Sequence, residues 1–199
     1  MRMEGTEMTG KGGEEGRERD IRSLDKDRLY DFVVDAAKRW LAHDGLWFQA
    51  VENAHGLEEA MRLDGQAWDR FTAIEADRIR RFLNLPSGGG LDALERALRF
   101  RLYALVNDQE TERVDDHTLV FKMKRCRVQE ARERKGLAPF PCRPVGLIEY
   151  SGFARAIDPR IVTTCLACPP DPHPAEYFCA WQFTLLPGPV EGEREREKE

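Results

Sequence analysis

The hydrophobic spacing of this chain changes its period near Asn107, and that change limits the folds open to it. Before Asn107, apolar residues recur at intervals of three and four, the spacing of an amphipathic helix. After it they alternate in twos, as half-buried strands require. Helices first and strands later is the α+β pattern. The expected fold is therefore a helical N-terminal half followed by a small antiparallel sheet with crossing helices.

In the first half, Ser23 predicts an N-cap, with Asp25 and Asp27 as acids suited to the positive end of the helix dipole. Lys26 stands where a capping box would need Glu or Gln. Leu29, Val33, Ala36, Ala37, Trp40 and Leu41 then follow at helical spacing, and Asp44-Gly45 predicts a break. A second short stretch, Leu46 to Ala54, closes at His55-Gly56. From Leu57 a longer helix carries Met61, Ala67, Trp68, Phe71, Ile74, Ile79 and Phe82 near one face, stopped by Pro86 and the Ser87–Gly90 loop. Leu94, Leu98 and Leu105 predict a further helix from Leu91 to about Leu105.

In the second half, residues 109–114 and 118–124 predict a β-hairpin around Asp115-Asp116-His117, with Leu119, Phe121 and Met123 facing one way. Cys126 opens a charged helix that Gly136 terminates. A proline-rich loop from Leu137 to Pro144 holds Cys142, and a helix follows from Val145 to Ile157. Residues 161–167 and 177–186 predict two more strands. Residues 1–22 and 188–199 are dominated by Gly, Glu, Lys and Arg with little to bury, so both segments are expected to be disordered around a single α+β domain at 23–187.

Charge excludes some functions. The formal net charge is −5, with 31 Lys and Arg against 36 Asp and Glu spread along the chain. No basic stripe with interleaved aromatics marks a nucleic-acid partner. No apolar run approaches the ~20 residues that cross a bilayer, and the N-terminal segment lacks the apolar stretch of a secretory signal. A cytoplasmic protein is expected, with a small molecule as its candidate partner; the oligomeric state has no sequence signal.

All five cysteines, Cys126, Cys142, Cys165, Cys168 and Cys179, fall in the second half. Without a secretory signal, disulfides explain them poorly. Cys165-x-x-Cys168 lies where a strand enters a proline-rich turn, a knuckle that aims two thiolates at one ion. An antiparallel return from Pro169 to Glu176 brings Cys179 back to the knuckle, on the face of Trp181 and Phe183. Cys126 and Cys142 flank the charged helix. Five thiols so placed are candidate ligands for zinc or, alternatively, an iron–sulfur cluster, both of which prefer sulfur to oxygen. Buried free thiols and a redox dithiol are the competing readings. His173 is a further candidate ligand, whereas His43, His55 and His117 sit at helix ends or turns as polar caps.

Glu149 follows Cys142 by two turns of helix and is the candidate proton acceptor beside a metal, set against an ordinary exposed helix residue. Asp158 and Arg160 read as turn chemistry. Trp40, Trp47 and Trp68 lie on apolar stripes and are expected in the core, and Trp47, Phe48 and Trp68 could together line a ligand pocket.

Three blocks carry a resemblance: Arg39–Val51, Cys126–Arg132, and Cys168-Pro-Pro-Asp with Phe178-Cys-Ala-Trp-Gln-Phe183. They look like a family of uncharacterised prokaryotic cytosolic proteins, which implies no activity. More distantly, Cys126, Cys142 and the Cys179–Phe183 strand resemble the L-2-amino-thiazoline-4-carboxylate hydrolase-like family, although Trp181 replaces its closing Phe and Cys165/Cys168 are additional. That resemblance implies metal-assisted hydrolysis of a small cyclic amide-like or amidine-like substrate. A fainter likeness to 4-vinyl reductase-type domains implies a non-enzymatic ligand-binding or sensor role with a structural zinc or iron–sulfur site.

Overall fold

The computed structural model describes residues 21–188. Expectations for residues 1–20 and 189–199 lie outside the described residues. The fold is α+β, with five α-helices and a four-stranded antiparallel sheet among the described residues.

Helix α1 (Lys26–His55) is capped by Asp25, whose carboxylate accepts from Arg28 N at 2.8 Å. An aspartate here satisfies an orphan N–H and places its charge on the dipole, so it displaces Ser23, which belongs to a preceding 3₁₀ turn (Ile21–Ser23). The break expected at Asp44-Gly45 is absent, and α1 runs unbroken for 30 residues. A glycine inside a helix costs only about 1 kcal/mol, less than α1 gains by packing along α2. Gly56, at φ 88°, turns the chain into α2 (Leu57–Phe82).

Helix α3 (Gly90–Leu98) is shorter than expected, and Leu102–Leu105 form a 3₁₀ turn. Between them Arg101 takes an extended backbone (φ −68°, ψ 147°) and turns its side chain into the interior. Asp158 is fully buried and accepts from Gly90 N at 2.9 Å and from Arg160 N at 3.0 Å. It ties the start of α3 to the turn after Ile157, which is the turn chemistry expected of it.

Strands β1 (Asp108–Asp115), β2 (Thr118–Arg125), β3 (Ile161–Ala167) and β4 (Cys179–Leu185) pair in the order β1-β2-β4-β3. One face is buried: Leu119, Phe121 and Met123 of β2 lie in register with Phe183, Trp181 and Cys179 of β4. β1 is polar and largely exposed, an edge that resists pairing with other chains. Helix α4 (Arg127–Arg134) follows Cys126 directly and closes at Gly136, whose φ of 64° suits a residue without Cβ. Helix α5 (Arg143–Ile157) lies between the sheet and α2, and α1 packs on α2.

Two glycines set the spacing of these layers. A Cβ at Gly146 would stand 2.6 Å from the Trp181 ring, and one at Gly152 would stand 2.4 Å from Thr72 Oγ1. Trp68 is 6% exposed and belongs to the core, but Trp47 is 68% exposed and does not. α1 is apolar over much of its circumference, so its sequence alone does not single out the buried stripe.

Candidate active and binding site

Between the inner side of α1 and α2 and the ends of β2, α4, α5 and β4 lies a pocket of about 430 Å³. Phe48, Phe140, Trp68, Tyr103, Tyr150 and Trp181 supply its apolar walls. The ring of Tyr150 stacks on Trp181 at 4.8 Å between centroids, and Trp68 stacks on Tyr103 at 5.8 Å. Of the pocket expected from Trp47, Phe48 and Trp68, the structure supplies Phe48 and Trp68.

Behind this wall, reaching it through Glu149, lies a buried triad absent from the sequence expectations. Arg101 is 2% exposed; its Nε donates to Glu75 Oε2 at 2.9 Å, and its Nη2 stands 2.7 Å from Glu149 Oε1. The second contact is an ion pair without an aligned hydrogen bond, since both atoms are buried and lack a hydrogen-bond partner. The guanidinium also lies over Trp68, Tyr103, Tyr150 and Phe153, the last at 4.8 Å. Burial opposes its charge, but Glu149 and Glu75 outweigh that and hold it protonated.

Glu149 is buried and lines the pocket, which removes the reading as an exposed helix residue. Burial pushes its pKa up, and Arg101 opposes the rise. Asp64 on α2 and Asp44 on α1 line the same pocket. Burial, with Asp44 and Glu149 nearby, raises Asp64 to about 7; burial also raises Asp44. Burial keeps the phenols of Tyr103 and Tyr150 protonated, so their hydroxyls remain donors.

Four of the cysteines form a cluster beside this pocket, with Cys126 near them. Antiparallel pairing of β3 with β4 sets Cys165 opposite Trp181, and Cys168 follows β3 directly. The Cys168 thiol lies within hydrogen-bonding reach of Cys142 and Cys179, and Cys165 lies within reach of Cys168. Cys179 also accepts from Trp181 Nε1–H at 3.3 Å. The Cys168 contact and this N–H together draw Cys179 below the usual thiol range, while its thiol neighbours push Cys168 up. Cys126 stands somewhat apart, and burial pushes it up to about 12. Cys126, Cys142 and Cys179 line the pocket. All five are free thiols.

Local structure explains how Cys142 arrives there. Buried Gln129 on α4 donates to Phe140 O at 2.8 Å and to Cys142 Sγ at 3.0 Å, and it accepts from Phe140 N at 2.9 Å. Arg132 donates to Ala138 O at 2.7 Å. Helix α4 thereby holds the proline-rich loop in place.

The described residues hold no group of three or more His, Cys, Asp or Glu side chains at the spacing of a formed metal site. His173 is exposed and packs on Phe178, with ring centroids 5.9 Å apart. His43, His55 and His117 are exposed as well. No helix among the described residues is long and apolar enough to cross a membrane.

Fold and site together define an α+β protein with an aromatic pocket whose lining includes both carboxylates and thiols. The chain belongs to a family of unknown function (DUF6125), whose family model matches residues 22–185. No curated protein and no solved structure matches it.

Proposed function

We propose that this chain is a cytoplasmic small-molecule-binding protein whose pocket is floored by a soft-metal thiolate site. The observation that carries this reading is that Cys142 and Cys179 belong both to the thiol cluster and to the pocket wall. Cys142, Cys165, Cys168 and Cys179 are the ligands, drawn from the start of α5, from β3 and its following turn, and from β4. The donor set suits zinc, or an iron–sulfur cluster, by its chemistry: Cys142, Cys165 and Cys179 surround Cys168, and Cys179 is already biased toward thiolate, so the ion would draw these sulfurs into a geometry they do not yet hold. Binding displaces the shared S–H protons, and a zinc ion held by four thiolates locks the sheet to α5 and contributes directly to folding. Cys126, outside that set, faces the ligand.

A second reading, hydrolysis of a small cyclic amide-like or amidine-like substrate, is favoured by the position of Glu149 in the same pocket. A buried carboxylate of raised pKa can accept a proton from an attacking water, and the Tyr103 and Tyr150 hydroxyls can orient the substrate.

Elemental analysis of anaerobically purified protein, prepared without a metal-binding tag, tests both. One zinc per chain, or iron with visible absorbance, that is lost in a Cys168→Ser variant supports the thiolate site. Protein free of metal after anaerobic purification and zinc addition would sink it. Cobalt substitution then separates the readings: four thiolates around the ion favour binding alone, and three leave a position for chemistry.

A further inference from the structure

Where the pocket is a binding site, its carboxylates set the class of ligand. Asp44 comes from α1, Asp64 from α2 and Glu149 from α5, so three separate elements converge their carboxylates on one apolar cavity. Glu149 is 8% exposed, and its Oε1 accepts no hydrogen bond although the Arg101 guanidinium stands 2.7 Å away. Arg101 is one positive charge shared between two carboxylates, Glu75 and Glu149, so the buried triad is itself one negative charge in excess. Among the described residues neither Asp44 nor Asp64 forms an ion pair; burial and the neighbouring carboxylates raise Asp64 to about 7 against a contact from Trp68, and exposed His43 is the cation nearest Asp44. Opposing charge is also present. Lys38, Arg127, Arg134 and Lys135 line the pocket but are exposed, where solvent and salt screen them. Arg132 is engaged bidentately by Glu52 at 2.9 and 3.0 Å.

We propose that the pocket binds an organic cation, with its protonated amine seated among Asp44, Asp64 and Glu149 and its apolar body against Trp68, Tyr103 and Trp181. Carboxylates that repel one another in a low-dielectric cavity are relieved by a cation, and aromatic rings attract it further. Two of these rings, Trp68 and Tyr103, already lie against one flat cation, Arg101.

The test titrates the full chain with tryptamine, its neutral analogue indole-3-ethanol and the anion indole-3-acetate, by calorimetry. Tryptamine is expected to bind roughly tenfold or more tightly than the alcohol, a preference that high salt reduces only partly because the site is enclosed. Asp64→Asn is expected to erase most of the preference for tryptamine over the alcohol. Asp44→Asn provides a second variant on a different helix, and the thermal unfolding midpoint of each confirms that it folds. Equal binding of tryptamine and alcohol, or tighter binding of the acetate, overturns the cation assignment and leaves the pocket as a binding site. Binding of none of the three at millimolar concentration overturns both this assignment and the reading of the pocket beneath it. Metal content is measured on the same samples, so failure of the thiolate site is read separately.

Discussion

Replacing Arg101 with Met keeps the length and much of the volume of the side chain but removes its charge from between Glu75 and Glu149. The side chain is 2% exposed, and both of its carboxylate partners lie within 2.9 Å. Removing one member of such a pair leaves the other buried without compensation, which costs about 3–5 kcal/mol. That is a large share of the ~5–15 kcal/mol that holds a domain together, and it lowers a urea midpoint by roughly 1–3 M. The loss is expected to depend on pH. In the variant Glu149 loses the cation that opposes the rise of its pKa by burial, so the folded state binds more protons than the unfolded state, and stability rises as pH falls from 8 to 5. Urea titrations of wild type and Arg101→Met at both pH values measure this. The triple variant that adds Glu75→Gln and Glu149→Gln is expected to recover part of the loss at pH 8. A cost below about 1 kcal/mol, or one independent of pH, would refute the argument that the triad is a buried charge cluster.

Asp64 has a folded pKa raised to about 7 from 3.8, so its contribution to stability is greatest below pH 4 and drains away as pH climbs to about 7. Asp64→Asn is therefore expected to match wild type near pH 4 and to exceed it by on the order of 2–4 kcal/mol at pH 8, as read by chemical denaturation. Gly146→Ala gains about 1 kcal/mol of helix propensity but drives a methyl into the Trp181 ring, which is fully buried; a net loss of about 1–2 kcal/mol is expected by thermal melting. Gln129→Leu removes three hydrogen bonds that fix the Phe140–Cys142 loop, and thiol-labelling kinetics are expected to show Cys142 reacting faster while Cys165 does not change.

What could be read from sequence was what local spacing determines. The hairpin, the helix between Cys126 and Gly136, and the β3 strand at Ile161–Ala167 each carry their period and their stop signal in adjacent residues. The approach of Cys179 to Cys168 followed from the antiparallel return alone. Glu149 was visible as a candidate because it trails Cys142 on one helix, but its burial was not. Arg101, Asp44 and Asp64 were missed because each belongs to a different element and gains its meaning only when those elements close on one another. Arg101 did leave a trace: with Arg99 it is one of two charged residues inside the otherwise apolar stretch from Leu98 to Val106. The unbroken α1 and the exposed Trp47 depend on which face α2 covers, and a single-helix pattern does not encode that.

Helix α5 meets its neighbours on both sides at positions that have no side chain, Gly146 against the sheet and Gly152 against α2. The thickness of the whole three-layer stack is thus gauged by two missing methyl groups. Gly146 also borders the pocket, on the same helix as Glu149 and next to the strand that carries Cys179. Any relative that widened this gauge would shift its pocket carboxylates relative to its thiols. Pocket dimensions among such chains are then set less by the residues that touch a ligand than by how closely one helix is allowed to lie against a tryptophan.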